Sequence, residues 1–167
     1  SALVAAQALS LEDAIPLVRK RGQYMQEVVP LGIGAMAAII GLSTEKVEEC
    51  CRLSEDKGTI TPANYNCPGQ IVVSGHKEAV EKACALAKEM GAKRAVMLPV
   101  SAPFHSPLLE PAGIRLKEEL EKIRIKAPII PVVNNVYAKA EDNPAQIKEN
   151  LIRQVSSPVR WEESVRY

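Results

Sequence analysis

Two side chains in this 167-residue sequence sit where proton transfer or anion binding could use them. His105 falls in Ser101-Ala-Pro-Phe-His-Ser-Pro107, a loop stiffened by two prolines directly after an apolar, strand-like run. Rigid loops at strand ends are favoured places for catalytic groups, and an imidazole titrating near neutrality suits proton transfer. The bland alternative is a histidine that only packs. Arg21 lies in a helical segment whose apolar stripe runs Leu11, Ile15, Val18, Gly22, Met25, Val29. At about 100° per residue, Arg21 falls roughly 60° from the centre of that stripe, between Met25 and Val28, while Lys20 points to the opposite face. A guanidinium at the edge of a buried face needs an anion, because desolvating an unpaired charge is costly. Either an internal Asp or Glu supplies it, or a bound molecule does, or the side chain snorkels to water. His76, following Ser74-Gly75 at a helix start, reads as a surface residue.

No nucleophile accompanies this pair. A Gly-x-Ser-x-Gly elbow is absent, and no serine stands in the strand–turn–helix setting that would expose its hydroxyl. The cysteines, Cys50, Cys51, Cys67 and Cys84, show neither a CxxC nor a Cys/His spacing, so no metal site is expected. Cys50 and Cys84 fall within helical patterns and read as buried, inert thiols.

The elements that must position Arg21 and His105 follow from the changing hydrophobic period. Ser1–Ala8 reads as helix, and Ser10 with Asp13 opens a second helix that contains Pro16 and ends at Pro30 and Gly32. Ala35–Gly41 is a short apolar strand, Ser43–Leu53 a helix, and Thr59–Asn66 and Gln70–Ser74 are strands joined by a Cys67-Pro68-Gly69 turn. A long amphipathic helix over His76–Met90 and a strand over Lys93–Val100 complete the order βαββαβ, a ferredoxin-like arrangement. Further on, helix is expected over Leu108–Ile125, strand over Ile129–Val133, helix from Asn143-Pro144 to about Val155, and helix from Pro158 to Tyr167. Both ends break into a helical pattern without a cap or terminator, so an internal fragment of a longer protein is expected.

Composition narrows the classes of function. With 47% apolar residues the chain can bury a core, and a net charge of +1 gives no pull toward nucleic acid or anionic membranes. Aromatic residues are only 4%, too few for base stacking, and no apolar run is long enough to span a bilayer. A soluble, cytoplasmic protein without nucleic-acid or membrane partners is expected.

Several segments resemble the bacterial malonyl-CoA:acyl-carrier-protein transacylase family. They are Leu17-Val-Arg-Lys-Arg-Gly-Gln-Tyr-Met-Gln26, Gly34-Ala-Met-Ala-Ala-Ile-Ile-Gly41 and Asn64-Tyr-Asn-Cys-Pro-Gly-Gln70. Pro99-Val-Ser-Ala-Pro-Phe-His-Ser106, Pro131-Val-Val-Asn-Asn135 and Leu151-Ile-Arg-Gln-Val-Ser-Ser-Pro-Val-Arg-Trp161 match as well. The resemblance implies an α/β fold: part of a hydrolase-like α/β domain at residues 1–34 and 101–167, flanking a ferredoxin-like small subdomain at 35–100. It implies that Arg21 pairs with the malonyl carboxylate, that His105 is the catalytic base, and that the main-chain carbonyl of Gln154 orients His105. Asn64 and Asn66 would line the cleft, and Phe104 would crowd out an alpha-methyl branch. The family's nucleophilic serine would lie about five residues before Ser1, outside this chain, so the chain alone is expected to be inactive.

The implied activity of the longer protein is transfer of malonyl from coenzyme A to the phosphopantetheine thiol of acyl carrier protein in fatty-acid synthesis. Its route is ping-pong through an acyl-serine, with a coenzyme A thioester as substrate and no bound cofactor. Two alternatives stand beside it. One is the same region of a polyketide-synthase acyltransferase. The other is a non-catalytic ferredoxin-like binding module, which would explain the missing elbow but not the family spacing of Arg21, His105 and Gln154.

Overall fold

The computed structural model describes residues 1–167 and builds two apolar cores from them. The first belongs to a sheet. Strands β1 (Gly34–Ile40), β2 (Ile60–Cys67), β3 (Gln70–His76) and β4 (Arg94–Met97) form an antiparallel sheet in the order β2-β3-β1-β4. Helices α3 (Thr44–Arg52) and α4 (Lys77–Glu89) connect them. Successive strand residues alternate between faces. Ala37, Ile39, Ile71 and Val73 therefore meet Val47, Cys50, Val80 and Ala83 of the two helices, all at most 2% exposed. The buried thiols of Cys50, Cys51 and Cys84 complete this layer, and burial pushes Cys51 up to about 12. Cys67 is exposed at the β2–β3 turn.

The opposite face of the sheet is only partly covered. Met36, Ala63 and Val72 form a small cluster there, joined by Leu98 and Phe104. Register shifts in β2 at Pro62/Asn64 and Tyr65/Cys67 act as bulges. The first sets Asn64 opposite Val72, hence on this second face rather than against the helices.

The second core is helical. Helices α2 (Leu11–Glu27), α5 (Glu110–Glu121) and α6 (Pro144–Arg153) bring Leu17, Met25, Leu116, Leu120 and Ile147 together with Val155. Ser10 caps α2 by accepting from the Asp13 N–H at 3.1 Å, and Asn143 caps α6 by accepting from Ala145 and Gln146. Across the α2–α5 contact Lys20 pairs with Glu119 at 2.6 Å, and Arg115 pairs with Glu27 while stacking on Tyr24. The face opposite the expected stripe, where Lys20 lies, thus pairs with α5.

Several expectations are corrected here. Leu11, Ile15 and Val18 are each more than 60% exposed, whereas Ala14, Leu17 and Met25 are buried. The buried face of α2 is thus rotated by roughly 70° from the expected stripe, which puts Arg21 near its centre. The largest apolar residues of α2 lie outside, because the small Ala14 and Leu17 join the core that holds Leu116 and Leu120 instead. Helix α1 spans only Ala2–Ala5 and stops where Gln7 adopts φ 58°. Ile129–Val133 is not a strand: Lys126 and Ile129 donate to the carbonyls of Ala8 and Ala6. Strand pairing begins at β5 (Val133–Asn134) against β6 (Lys139–Ala140). Pro158 opens no helix either. Val159 instead exchanges backbone bonds with Ala63 and Tyr65 of β2, and α7 covers Trp161–Arg166. No helix is long and apolar enough to cross a membrane.

Candidate active site

The backbone leaves β4 alongside β1, where the Leu98 N–H donates to Met36, and then doubles back over the open face of the sheet. Ala102, Pro103 and Ser106 of this turn are fully buried or nearly so. The Ser106 hydroxyl donates to the Pro103 carbonyl at 2.7 Å, closing the turn around Phe104 and His105. A 3-10 turn over Pro107–Leu109 then leads into α5, so the expected helix start at Leu108 moves to Glu110. Phe104 packs against both the Met36 cluster and the helical core.

His105 itself adopts φ 58°, a left-handed conformation that a residue with a Cβ holds only when its surroundings enforce it. Its Nδ1 lies 3.1 Å from the Gln154 carbonyl oxygen. A carbonyl only accepts, so Nδ1 carries the proton and Nε2 of the neutral ring is left with its lone pair. Burial lowers the His105 pKa below its ordinary value, the Gln154 bond opposes that shift, and the Arg21 charge reinforces it.

Gln154 ends α6, and its side-chain amide donates to the carbonyls of Ser157 and Pro158 at 3.0 and 3.1 Å. That clasp fixes the turn whose next residue, Val159, joins β2. The same turn thus ties the carbonyl facing His105 to the strand that carries Asn64 and Asn66. Both asparagines are half-buried, and neither side chain forms a hydrogen bond within the protein.

Arg21 is also half-buried and makes no ion pair or hydrogen bond, although its neighbours Lys20 and Arg115 are both paired. Burial lowers its pKa, yet a guanidinium stays charged at any ordinary pH. The internal-carboxylate alternative therefore finds no partner in this fold. Arg21 and His105 lie close enough for their charges to interact.

Three features escaped the sequence reading. The Gln154 amide clasp and the buried Ser106 hydroxyl carry no sequence signal beyond a glutamine at a helix end and a serine before proline. His76 is not a surface residue: it is half-buried against Gly58, and its Nδ1 is enclosed without a partner. No three His, Cys, Asp or Glu side chains converge as a metal would need.

The acyl transferase domain family matches residues 1–167. The malonyl CoA-acyl carrier protein transacylase of Escherichia coli strain K12 is 50% identical over 167 residues, covering 100% of this chain and 54% of that protein. A solved structure of the malonyl CoA-acyl carrier protein transacylase from Coxiella burnetii superposes with a TM-score of 0.98 at 48% identity, over 99% of this chain and 52% of that one. A malonyl-transacylase in complex with a type II PKS acyl-carrier protein superposes with a TM-score of 0.96 at 46% identity, over 98% and 53%. The chain spans about half the length of the relatives it matches. With a family match along its whole length and relatives sharing half of its residues, this α/β chain belongs to the acyl transferase domain family.

Proposed function

We propose that this chain is the base-bearing and carboxylate-reading half of a malonyl-CoA:acyl-carrier-protein transacylase. The observation that carries this reading is the pairing of an unpartnered, half-buried Arg21 with a His105 whose Nδ1 is committed to the Gln154 carbonyl. A fork-shaped cation with no internal anion suits a substrate carboxylate, which it can grip through two parallel bonds. A ring with a bare Nε2 suits removal of a proton from a hydroxyl or thiol.

In the first half-reaction a serine supplied from outside these residues loses its proton to His105 Nε2 and attacks the thioester carbonyl of malonyl-CoA. The tetrahedral adduct expels the coenzyme A thiolate, which takes the proton back. In the second, His105 deprotonates the phosphopantetheine thiol of acyl carrier protein, which attacks the acyl-serine ester and releases the serine. Gln154 takes the orienting position that a carboxylate holds in a serine–histidine–aspartate triad. Asn64, Asn66 and Phe104 line the acyl end of the cleft. The strand order β4-β1-β3-β2, with both helices on one face, supports a ferredoxin-like small subdomain at 35–100 between two pieces of a larger α/β domain at 1–34 and 101–167. A cytoplasmic location and a coenzyme A thioester substrate without a bound cofactor belong to the same reading. A polyketide-type carrier is the second candidate acceptor, since one structural relative is bound to one.

A chimera in which these 167 residues replace the matched half of the E. coli relative tests the assignment. His105→Ala should lower transfer by about 10²- to 10⁴-fold for any acyl group. The isolated chain, incubated with malonyl-CoA, should gain no malonyl mass under denaturing conditions. An ester on one of its own serines, or full activity of His105→Ala, would contradict the reading.

A further inference from the structure

The left-handed backbone at His105 has to be held by something, and Gln154 alone meets only the ring. The contact beneath the loop is close. Gly34 opens β1, and a Cβ built there would fall 2.5 Å from Pro103 Cγ, 2.9 Å from its Cβ and closer still to its Cδ. Real Cβ atoms do not approach other carbons that closely, so no other residue at 34 admits the proline ring where it lies. The Gly34 backbone is not left-handed, so glycine is required there for space and not for its φ. Pro103 is buried, its carbonyl accepts from the buried Ser106 hydroxyl at 2.7 Å, and His105 sits between these two residues.

We propose that Gly34 is a positioning residue for His105. By lacking a Cβ it seats the Pro103 ring flat on β1, and that seat, locked by the Ser106 hydrogen bond, holds His105 in the conformation that delivers Nδ1 to Gln154. Gly34 touches no reacting atom; it acts through Pro103. The inference rests on the reading of His105 as the base, and its test separates the two. The contact also joins the sheet to the catalytic loop, so the order of the sheet is transmitted to the imidazole.

The test is a reciprocal pair of substitutions read at the His105 ring by ¹⁵N NMR of the full-length chimera. In the unaltered protein Nδ1 carries the proton. Gly34→Ala should lift Pro103, release Nδ1 from Gln154, and move the ring toward the Nε2–H tautomer that neutral imidazoles in water prefer. Pro103→Ala removes Cγ and Cδ and should loosen the loop in the same direction from the other side of the contact. The double variant removes the two closest contacts and leaves only the Cβ–Cβ approach of 2.9 Å, so it should recover part of the Nδ1–H form lost in Gly34→Ala, a coupling that independent sites would not show. The amides of Ala37 and Val73, paired across β1 and β3, report whether the sheet is intact. If Gly34→Ala does not fold, Pro103→Ala still reads the contact.

In the chimera, Gly34→Ala should lower kcat at least about tenfold for malonyl and acetyl alike, with the KM for malonyl-CoA nearly unchanged because Arg21 is untouched. An unchanged ring tautomer in Gly34→Ala, or a double variant no better than the worse single one, overturns the proposal. Loss of activity in His105→Ala with none in Gly34→Ala also overturns it while leaving the base assignment standing. A ring that moves as expected in a chimera indifferent to His105→Ala supports the seat and removes the base.

Discussion

The sheet and the helical region solve the same packing problem to different degrees. Within Gly34–Met97 only Leu53, Val96 and Met97 are large apolar residues left exposed, while Val47, Val73, Val80 and Ala83 are fully enclosed or nearly so. The flanking region has a comparable core at Leu109, Leu116 and Leu120, yet it leaves Leu11, Ile15, Val18, Ile114, Ile129 and Ile130 more than half exposed. Its unpaired guanidinium and strained histidine lie here too. Residues held for chemistry break the rules that stabilise a fold, so the incompletely satisfied region carries the candidate site and the well-packed one supplies rigidity.

The sharpest way to break this contrast is to remove a large apolar side chain from each region. Ile39→Ala, at a position 1% exposed in the central strand, should cost about 2–5 kcal/mol in denaturant unfolding. Ile15→Ala, 62% exposed on α2, should stay within about 0.5 kcal/mol of the parent. Similar losses at both positions would mean that Ile15 is covered in solution.

A smaller effect tests whether the helical region is held by its caps as well as its core. Asn143 accepts from two backbone N–H groups, so Asn143→Ala should cost about 1 kcal/mol and speed amide exchange in the first turn of α6. Because Gln154 ends the same helix, unchanged exchange there would show that the Gln154 clasp and the core suffice without the cap.

The smallest expected effect is a pH dependence. Burial holds His105 below its ordinary range, so the unfolded chain takes up the proton more readily than the folded one. Stability should therefore fall as pH drops through the usual histidine range, about 6.5, and be fully present above it. His105→Gln should flatten that part of the stability curve. A curve identical to the parent's would place the burial of His105 in doubt.

Much of the sheet was legible because its signals are local. Alternation, the Pro68-Gly69 turn and the Ser43 start need no knowledge of neighbours, and each element lies within a few residues of its expected place. The face of α2 was not legible, since a helix with apolar residues on two sides does not disclose which side its neighbour chooses. Ile129–Val133 failed for a similar reason: an apolar run becomes a strand only where a ladder partner exists, and here only isolated backbone bonds to Ala6 and Ala8 form. Arg21 and His105 could be selected from helical phase and from the proline-bounded loop. The bridge at Val159 and the seat at Gly34 depend on contacts across more than sixty residues, which no local pattern encodes.

The central claim is that Arg21 is left without an internal partner because a substrate carboxylate fills that role. Specificity constants for malonyl and acetyl transfer by Arg21→Ala in the chimera test it most directly. Malonyl transfer should fall by about 30- to several-thousand-fold, equivalent to about 2–5 kcal/mol, with acetyl transfer unchanged or raised and Arg21→Lys recovering only part of the loss. Equal losses for both acyl groups, with a lower melting temperature, would instead make Arg21 a structural residue and contradict the account.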